Sequence, residues 1–147
     1  MKSILVVGNG EHYFNRKLYT KLKSQGVLVD FFSDTALSCQ KNAPYKKVIT
    51  ASIKEKKIPW FYNFKGGRGF FIDKYLKKEL KKAIKNKQYD IIHIQSAKLW
   101  ALRALKRGSF LKILSIWGSD IYRVKHIKST WLKRSIRHID VLTFSSS

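Results

Sequence analysis

Acidic residues are scarce in this 147-residue chain: nine Asp and Glu stand against 31 Lys and Arg, a formal net charge of +22 at pH 7. Such a surface carries a strong positive potential and suits polyanionic partners, whether nucleic acid, anionic lipid or phosphorylated metabolites. Lysine outweighs arginine, which favours diffuse attraction over bidentate recognition. Cysteine is nearly absent as well. The single Cys39 excludes an internal disulfide, and one cysteine with four scattered histidines offers no zinc-type spacing, so no metal site is expected. Long apolar runs are missing: none approaches the roughly 18 to 20 residues that a bilayer span needs. The opening "MKSILVVGNGEHYF" turns polar too early for a secretory leader. The expected setting is cytoplasmic, with any membrane contact peripheral and at the inner face.

The chain is globular in composition, with 44% hydrophobic and 14% aromatic residues, and has about the modal length of one domain. Strand-like runs recur at 3–8 (SILVVG), 27–33 (VLVDFFS), 47–51 (KVITA), 89–95 (YDIIHIQ), 111–117 (LKILSIW) and 139–144 (IDVLTF). Several are apolar almost throughout, as strands buried on both faces should be. Helical spacing lies between most of them. Phe14, Leu18 and Leu22 recur before a stop at Gln25-Gly26; Leu99, Leu102 and Leu105 precede Gly108; a further helix is expected over Val124 to Arg137. Alternation of this kind predicts a three-layer α/β/α domain, Rossmann-like, with a mainly parallel sheet of about six strands.

Three strand exits carry residue types suited to a site. "VVGNGEHY" runs a strand into Gly8, Asn9, Gly10, Glu11 and His12, where glycines let backbone N–H groups approach an anion or sugar at a helix start, or make a plain tight turn. "YDIIHIQSAK" places His93 and Gln95 on one strand face, with Gln95 and Ser96 at the exit. His93 fits a hydrogen-bonded core role better than catalysis. "LSIWGSD" ends a strand in Trp117, Gly118, Ser119 and Asp120. The indole offers a flat apolar face with one donor, and Asp120 either accepts from hydroxyls or caps the next helix.

In this order, the motifs resemble the N-terminal half of GT-B glycosyltransferases of the family 4-like group. The family reads as a glycine-containing loop after the first strand, then an Asp-initiated strand of hydrophobic residues and histidines, then a strand ending in HGSD or HGTD, then a hydrophobic strand ending in Ser. "YDIIHIQ", "SIWGSD" and "IDVLTFSSS" match in sequence order, and residues 35 to 88 match in general layout. Gln95 stands where the second histidine often lies, and Trp117 replaces the histidine of HGSD. The resemblance implies that residues 1 to 147 form one acceptor-binding domain, with the donor-binding C-terminal domain, or a separate subunit carrying the nucleotide-sugar site, absent. "IDVLTFSSS" also reads as a core strand with no closing helix. The implied complete enzyme is a bacterial-type, metal-independent, retaining hexosyltransferase that moves a sugar from a nucleotide sugar to a glycan or lipid-linked acceptor, in the manner of polysaccharide biosynthesis. It uses no cofactor, and this chain alone is expected to be inactive. The implied acceptor site is Gly8, Asn9, Gly10, Glu11, His12, Gln95, Ser96, Trp117, Gly118 and Ser119, with Asp120 as the catalytic candidate.

Two other functions compete. A nucleic-acid-binding module would use the charge together with Trp60, Phe61, Tyr62, Phe64, Lys65 and Arg68 to stack bases beside phosphates. A dinucleotide-binding domain would use Asp34 on a ribose, but Tyr13 occupies the position where that fingerprint needs its third glycine. The remaining feature is the segment Phe70 to Lys87, whose Ile72, Tyr75, Leu76, Leu80, Ala83 and Ile84 share one helical face. That face is expected to pack on the sheet, so that the lysines on the other side either merely solvate the outside or, as Lys77, Lys78, Lys81, Lys82 and Lys85, attract anionic headgroups while the aromatic, glycine-rich loop before the helix dips into the interface.

Overall fold

The alternating pattern folds as a doubly wound domain in the computed structural model, which describes residues 2–8, 13–33, 45, 47–51, 66–106, 108–117 and 126–145. The elements are β1 (Ser3–Gly8), α1 (Tyr13–Ser24), β2 (Leu28–Ser33), β3 (Lys47–Thr50), α2 (Gly67–Asn86), β4 (Ile91–Gln95), α3 (Leu99–Ala104), β5 (Leu111–Trp117), α4 (His126–Ile136) and β6 (Val141–Ser145). Six strands pair in the order β3-β2-β1-β4-β5-β6, every pair parallel. The chain winds one way from β1 and the other way from β4. Because crossovers keep one hand, the two windings put their helices on opposite faces.

Packing follows that division. On one face Tyr19 of α1 and Tyr45 cover Ile4, Val6, Val29 and Phe31, with Tyr45 stacked on Phe31 at 4.7 Å between ring centres. On the other face Leu76, Leu80 and Ala83 of α2 and Trp100, Ala101 and Leu102 of α3 cover Leu5, Val7, Phe32, Ile92, Ile94, Leu114 and Ile116. The apolar face of α2 therefore packs on the sheet, as expected.

Local chemistry sets the ends. α1 stops in a Schellman turn: Gly26 takes φ +76°, its N–H bonds Lys23 O at 3.0 Å, and Val27 N–H bonds Leu22 O at 3.1 Å. An aspartate precedes both β4 and β6 for one reason. Asp90 Oδ2 accepts from the Ser3 backbone N–H at 2.7 Å, and Asp140 Oδ2 accepts from the Lys112 backbone N–H at 2.7 Å, so each carboxylate pins the start of its neighbouring strand. The Ser3 bonds hold the Asp90 carboxyl below its ordinary pKa.

Three expectations are refined. The α1 stripe through Leu18 is rotated: Leu18 is 46% exposed while Tyr19 is 1% exposed, because a tyrosine can bury its ring and still place its hydroxyl on a buried partner. The Phe14 side chain lies outside the described residues. α2 begins at Gly67, inside the glycine-rich stretch, after Gly66 in the left-handed region at φ 88°. α4 covers His126–Ile136, and Val124 lies outside the described residues.

One charge is buried beneath α2. Asp30 of β2 is paired through Oδ2 with Lys87 Nζ at 2.6 Å and accepts from the Tyr89 hydroxyl at 2.9 Å. Its Oδ1 makes no hydrogen bond among the described residues. Burial, and then Asp30, raise the Tyr89 pKa.

Candidate functional site

Strand β1 ends at Gly8 and β4 ends at Gln95, side by side at the carboxyl edge of the sheet, where the direction of winding reverses. In open α/β sheets ligands sit in the crevice at such a switch point. Gly8 is there for lack of a side chain. A Cβ on it would lie 2.8 Å from Gln95 Cβ, 2.9 Å from Gln95 Oε1 and 3.2 Å from Gln95 O, so the two exits approach more closely than any other residue permits.

Gln95 is 4% exposed and its amide is aimed inward: Nε2 donates to the Tyr19 hydroxyl at 3.0 Å. The hydroxyl lies 2.7 Å from His93 Nδ1, His93 Nε2 lies 2.6 Å from Ser115 Oγ, and Ser115 Oγ lies 2.7 Å from Thr143 Oγ1. Five side chains from α1, β4, β5 and β6 thus form one line across a single sheet face. The Gln95 amide nitrogen can only donate, so Tyr19 accepts from it and sends its own hydrogen to His93 Nδ1, leaving the imidazole proton on His93 Nε2 for Ser115. Burial keeps the imidazole neutral and pushes its pKa down from 6.5 to about 4. Burial also raises the Tyr19 pKa, against the opposing effect of Gln95. The network is neutral throughout.

Ser96, immediately beyond β4, takes φ 79°, the left-handed region that side chains avoid. It holds the exit in a tight reversal: its N–H bonds Ser115 O at 2.9 Å, and its carbonyl accepts from Lys98 N–H at 2.8 Å. Backbone strain of this sort concentrates where a chain must present a particular geometry. Trp117 closes the neighbouring strand, half-buried, two residues beyond the Gln95–Ser115 register pair.

The structure therefore brings together Gly8, Gln95 and Ser96, and puts Trp117 on the adjacent exit of the same edge. Asn9, Gly10, Glu11, His12, Gly118, Ser119 and Asp120 lie outside the described residues, as do Asp34 and the aromatic residues from Trp60 to Phe64. Sequence reasoning missed Tyr19, Ser115 and Thr143. A signal existed for the last two: each is a small hydroxyl residue between apolar neighbours in its strand, and the two are register partners. Among the described residues, no group of three or more His, Cys, Asp or Glu side chains could hold a metal ion. No described helix is long and apolar enough to cross a membrane.

An all-parallel sheet in this order, with its reversal between β1 and β4, is a Rossmann-like doubly wound fold. The glycosyl transferase 4-like family model matches residues 3–146, and the chain belongs to that family. Among solved structures it is similar to sucrose-phosphate synthase from Thermosynechococcus elongatus, with a TM-score of 0.66 and 13% identity over 97% of this chain and 42% of that one. A second solved chain of the same synthase gives a TM-score of 0.64 and 15% identity over 99% of this chain and 77% of that one. The chain thus spans less than half of the first of these structures. A comparison with curated proteins found no match.

Proposed function

We propose that this chain is the acceptor-binding half of a glycosyltransferase that moves a sugar from a nucleotide sugar to a glycan or lipid-linked acceptor. The carrying observation is the contact of Gly8 with Gln95 at the β1–β4 reversal, in a chain of the glycosyl transferase 4-like family. The acceptor lies across Gly8 to His12, Gln95, Ser96 and Trp117 to Ser119. Its hydroxyl is held near Asp120 while the bond from the sugar to the nucleoside diphosphate breaks and the new glycosidic bond forms. The reaction is metal-independent and retaining, and the nucleotide sugar is bound by a second domain or subunit. The neutral line from Thr143 to Gln95 supports this reading: it fixes the Gln95 side chain, and so the shape of the exit, without placing a charge beside an uncharged sugar.

The proposal extends to the membrane. Lys78, Lys81, Lys82 and Lys85 of α2 are exposed, as is Phe70 at its start, an arrangement suited to peripheral contact with anionic lipid.

The test is binding of glycans, lipid-linked oligosaccharides and nucleotide sugars by isothermal titration. Acceptors are expected to bind and Gly8→Ala to weaken them, with no turnover by the chain alone. Binding of nucleotide sugars only, weakened by the same substitution, would overturn the assignment.

A further inference from the structure

Lysines are spread over this protein, but in one place they converge with arginine. Lys77, Lys81 and Lys85, four residues apart along α2, line a cleft of about 420 Å³ with Arg103 of α3 and Lys106 just beyond it. No carboxylate lines it among the described residues; Ile84 and Ala104 are its apolar lining. A composition rich in lysine does not by itself produce such a place. On the opposite flank of α2, a cleft of about 340 Å³ lined by Lys47, Lys82 and Lys87 also contains Glu79, and Lys87 there is already paired with Asp30.

The cationic cleft is also constructed. The Arg103 guanidinium is held over the Trp131 ring at 4.5 Å, which fixes a planar fork of donors at one wall. Lys77 is half-buried, and burial together with Lys81, Arg103 and Lys106 lowers its pKa. An adjoining cleft of about 330 Å³ shares Lys77 and Arg103 and brings in Asp73, so the acid-free volume is bounded. Like charges crowd here, with no carboxylate lining the cleft among the described residues, and an anion of several charges would relieve them. Volume narrows the choice: clefts of this size accept small molecules rather than a single small ion.

We propose that the α2–α3 cleft is a binding site for a diphosphate or a multiply charged phosphorylated headgroup, with Arg103 giving a bidentate contact and Lys77, Lys81, Lys85 and Lys106 the remaining charge. The site is on the outer surface of the helices, away from the carboxyl edge of the sheet, and it does not rest on the acceptor reading.

The experiment is titration of the chain with inorganic pyrophosphate, in parallel with sedimentation on vesicles of phosphatidylcholine alone and of phosphatidylcholine with phosphatidylglycerol. Saturable pyrophosphate binding is expected, weakened at least roughly tenfold by combined Lys77→Gln, Lys81→Gln and Arg103→Gln, and by no more than about twofold when Lys17, Lys21 and Lys23 of α1 become Gln. Arg103→Lys separates the fork from the charge and is expected to lose part of the affinity. If pyrophosphate also displaces the chain from anionic vesicles, the natural source of the phosphate is a lipid headgroup; if pyrophosphate binds and vesicles do not, it is a soluble diphosphate. Equal losses in the two triple variants, or an absence of pyrophosphate binding while single-stranded RNA binds, would overturn the proposal, since each marks a diffuse polyanion surface.

Discussion

Polar groups are organised in opposite ways at the two places where this protein offers chemistry. Behind the strand exits, Gln95, Tyr19, His93, Ser115 and Thr143 are neutral and bonded in line. In the α2–α3 cleft five cations face one volume with no carboxylate lining it among the described residues. The first arrangement is internally complete and serves to hold a shape. The second is internally incomplete and serves to attract. Between these extremes sits Asp30, a buried charge with one cationic partner. The comparison teaches that net charge alone does not describe the surface: the carboxyl edge of the sheet at the β1–β4 reversal is backed by uncharged groups, while cations collect between α2 and α3.

The largest effect is expected where a buried charge has least support. Lys87→Met leaves Asp30 without its counter-ion in the core and should destabilise the fold by about 3–5 kcal/mol, read from urea denaturation. A loss under about 1 kcal/mol would mean that water reaches the Asp30 carboxylate, and would weaken the contrast with the neutral network.

Acid is the next way to break the comparison. His93 is held at about 4 by burial, against 6.5 when free. Between those values the unfolded chain takes up a proton that the folded chain refuses, so stability falls as pH drops through that window. The shift corresponds to about 3 kcal/mol lost by pH 4. Asp90, whose folded pKa is depressed, adds its loss only at lower pH, once its carboxyl is protonated. His93→Gln should flatten the upper window in thermal melts while leaving the lower one. An unchanged profile would show that the imidazole is already charged or hydrated.

Tyr19→Phe removes one oxygen and leaves both Gln95 Nε2 and His93 Nδ1 without it, at a cost of about 2–3 kcal/mol. Acceptor affinity should fall as well, because Gln95 is no longer held. Stability lost with affinity intact would confine the network to folding.

How much was legible from the residues depends on the range over which each feature is specified. Strands such as "DIIHI" announce burial on both faces by being apolar at successive positions, so the layered fold follows from local pattern. That Gly8, Gln95 and Ser96 would meet at one sheet edge was recognisable because strand exits lie together wherever the fold is doubly wound. The Tyr19–His93 bond joins residues 74 apart, and the helix rotation that buries Tyr19 in place of Leu18 is decided by tertiary packing. The spacing of Lys77, Lys81 and Lys85 was plain; that Arg103 and Lys106 would complete their cleft depends on how α3 docks on α2.

The smallest effect concerns the strained exit. Ser96→Gly relieves a left-handed backbone and should raise stability by up to about 1 kcal/mol, the conformational penalty of an L-residue there offset by the greater freedom of unfolded glycine. A loss of acceptor affinity in that more stable variant would show that the strain positions the exit.

The account stands most directly on amide chemical-shift mapping of the ¹⁵N-labelled chain with a glycan or lipid-linked acceptor that binds and, separately, with pyrophosphate. Acceptor is predicted to move Gly8, Gln95, Ser96 and Trp117, and pyrophosphate to move Lys77, Lys81 and Arg103, with each set indifferent to the other ligand. An acceptor that moves only the α2–α3 residues, leaving Gly8 and Ser96 in place, would contradict the assignment of the acceptor to the β1–β4 reversal.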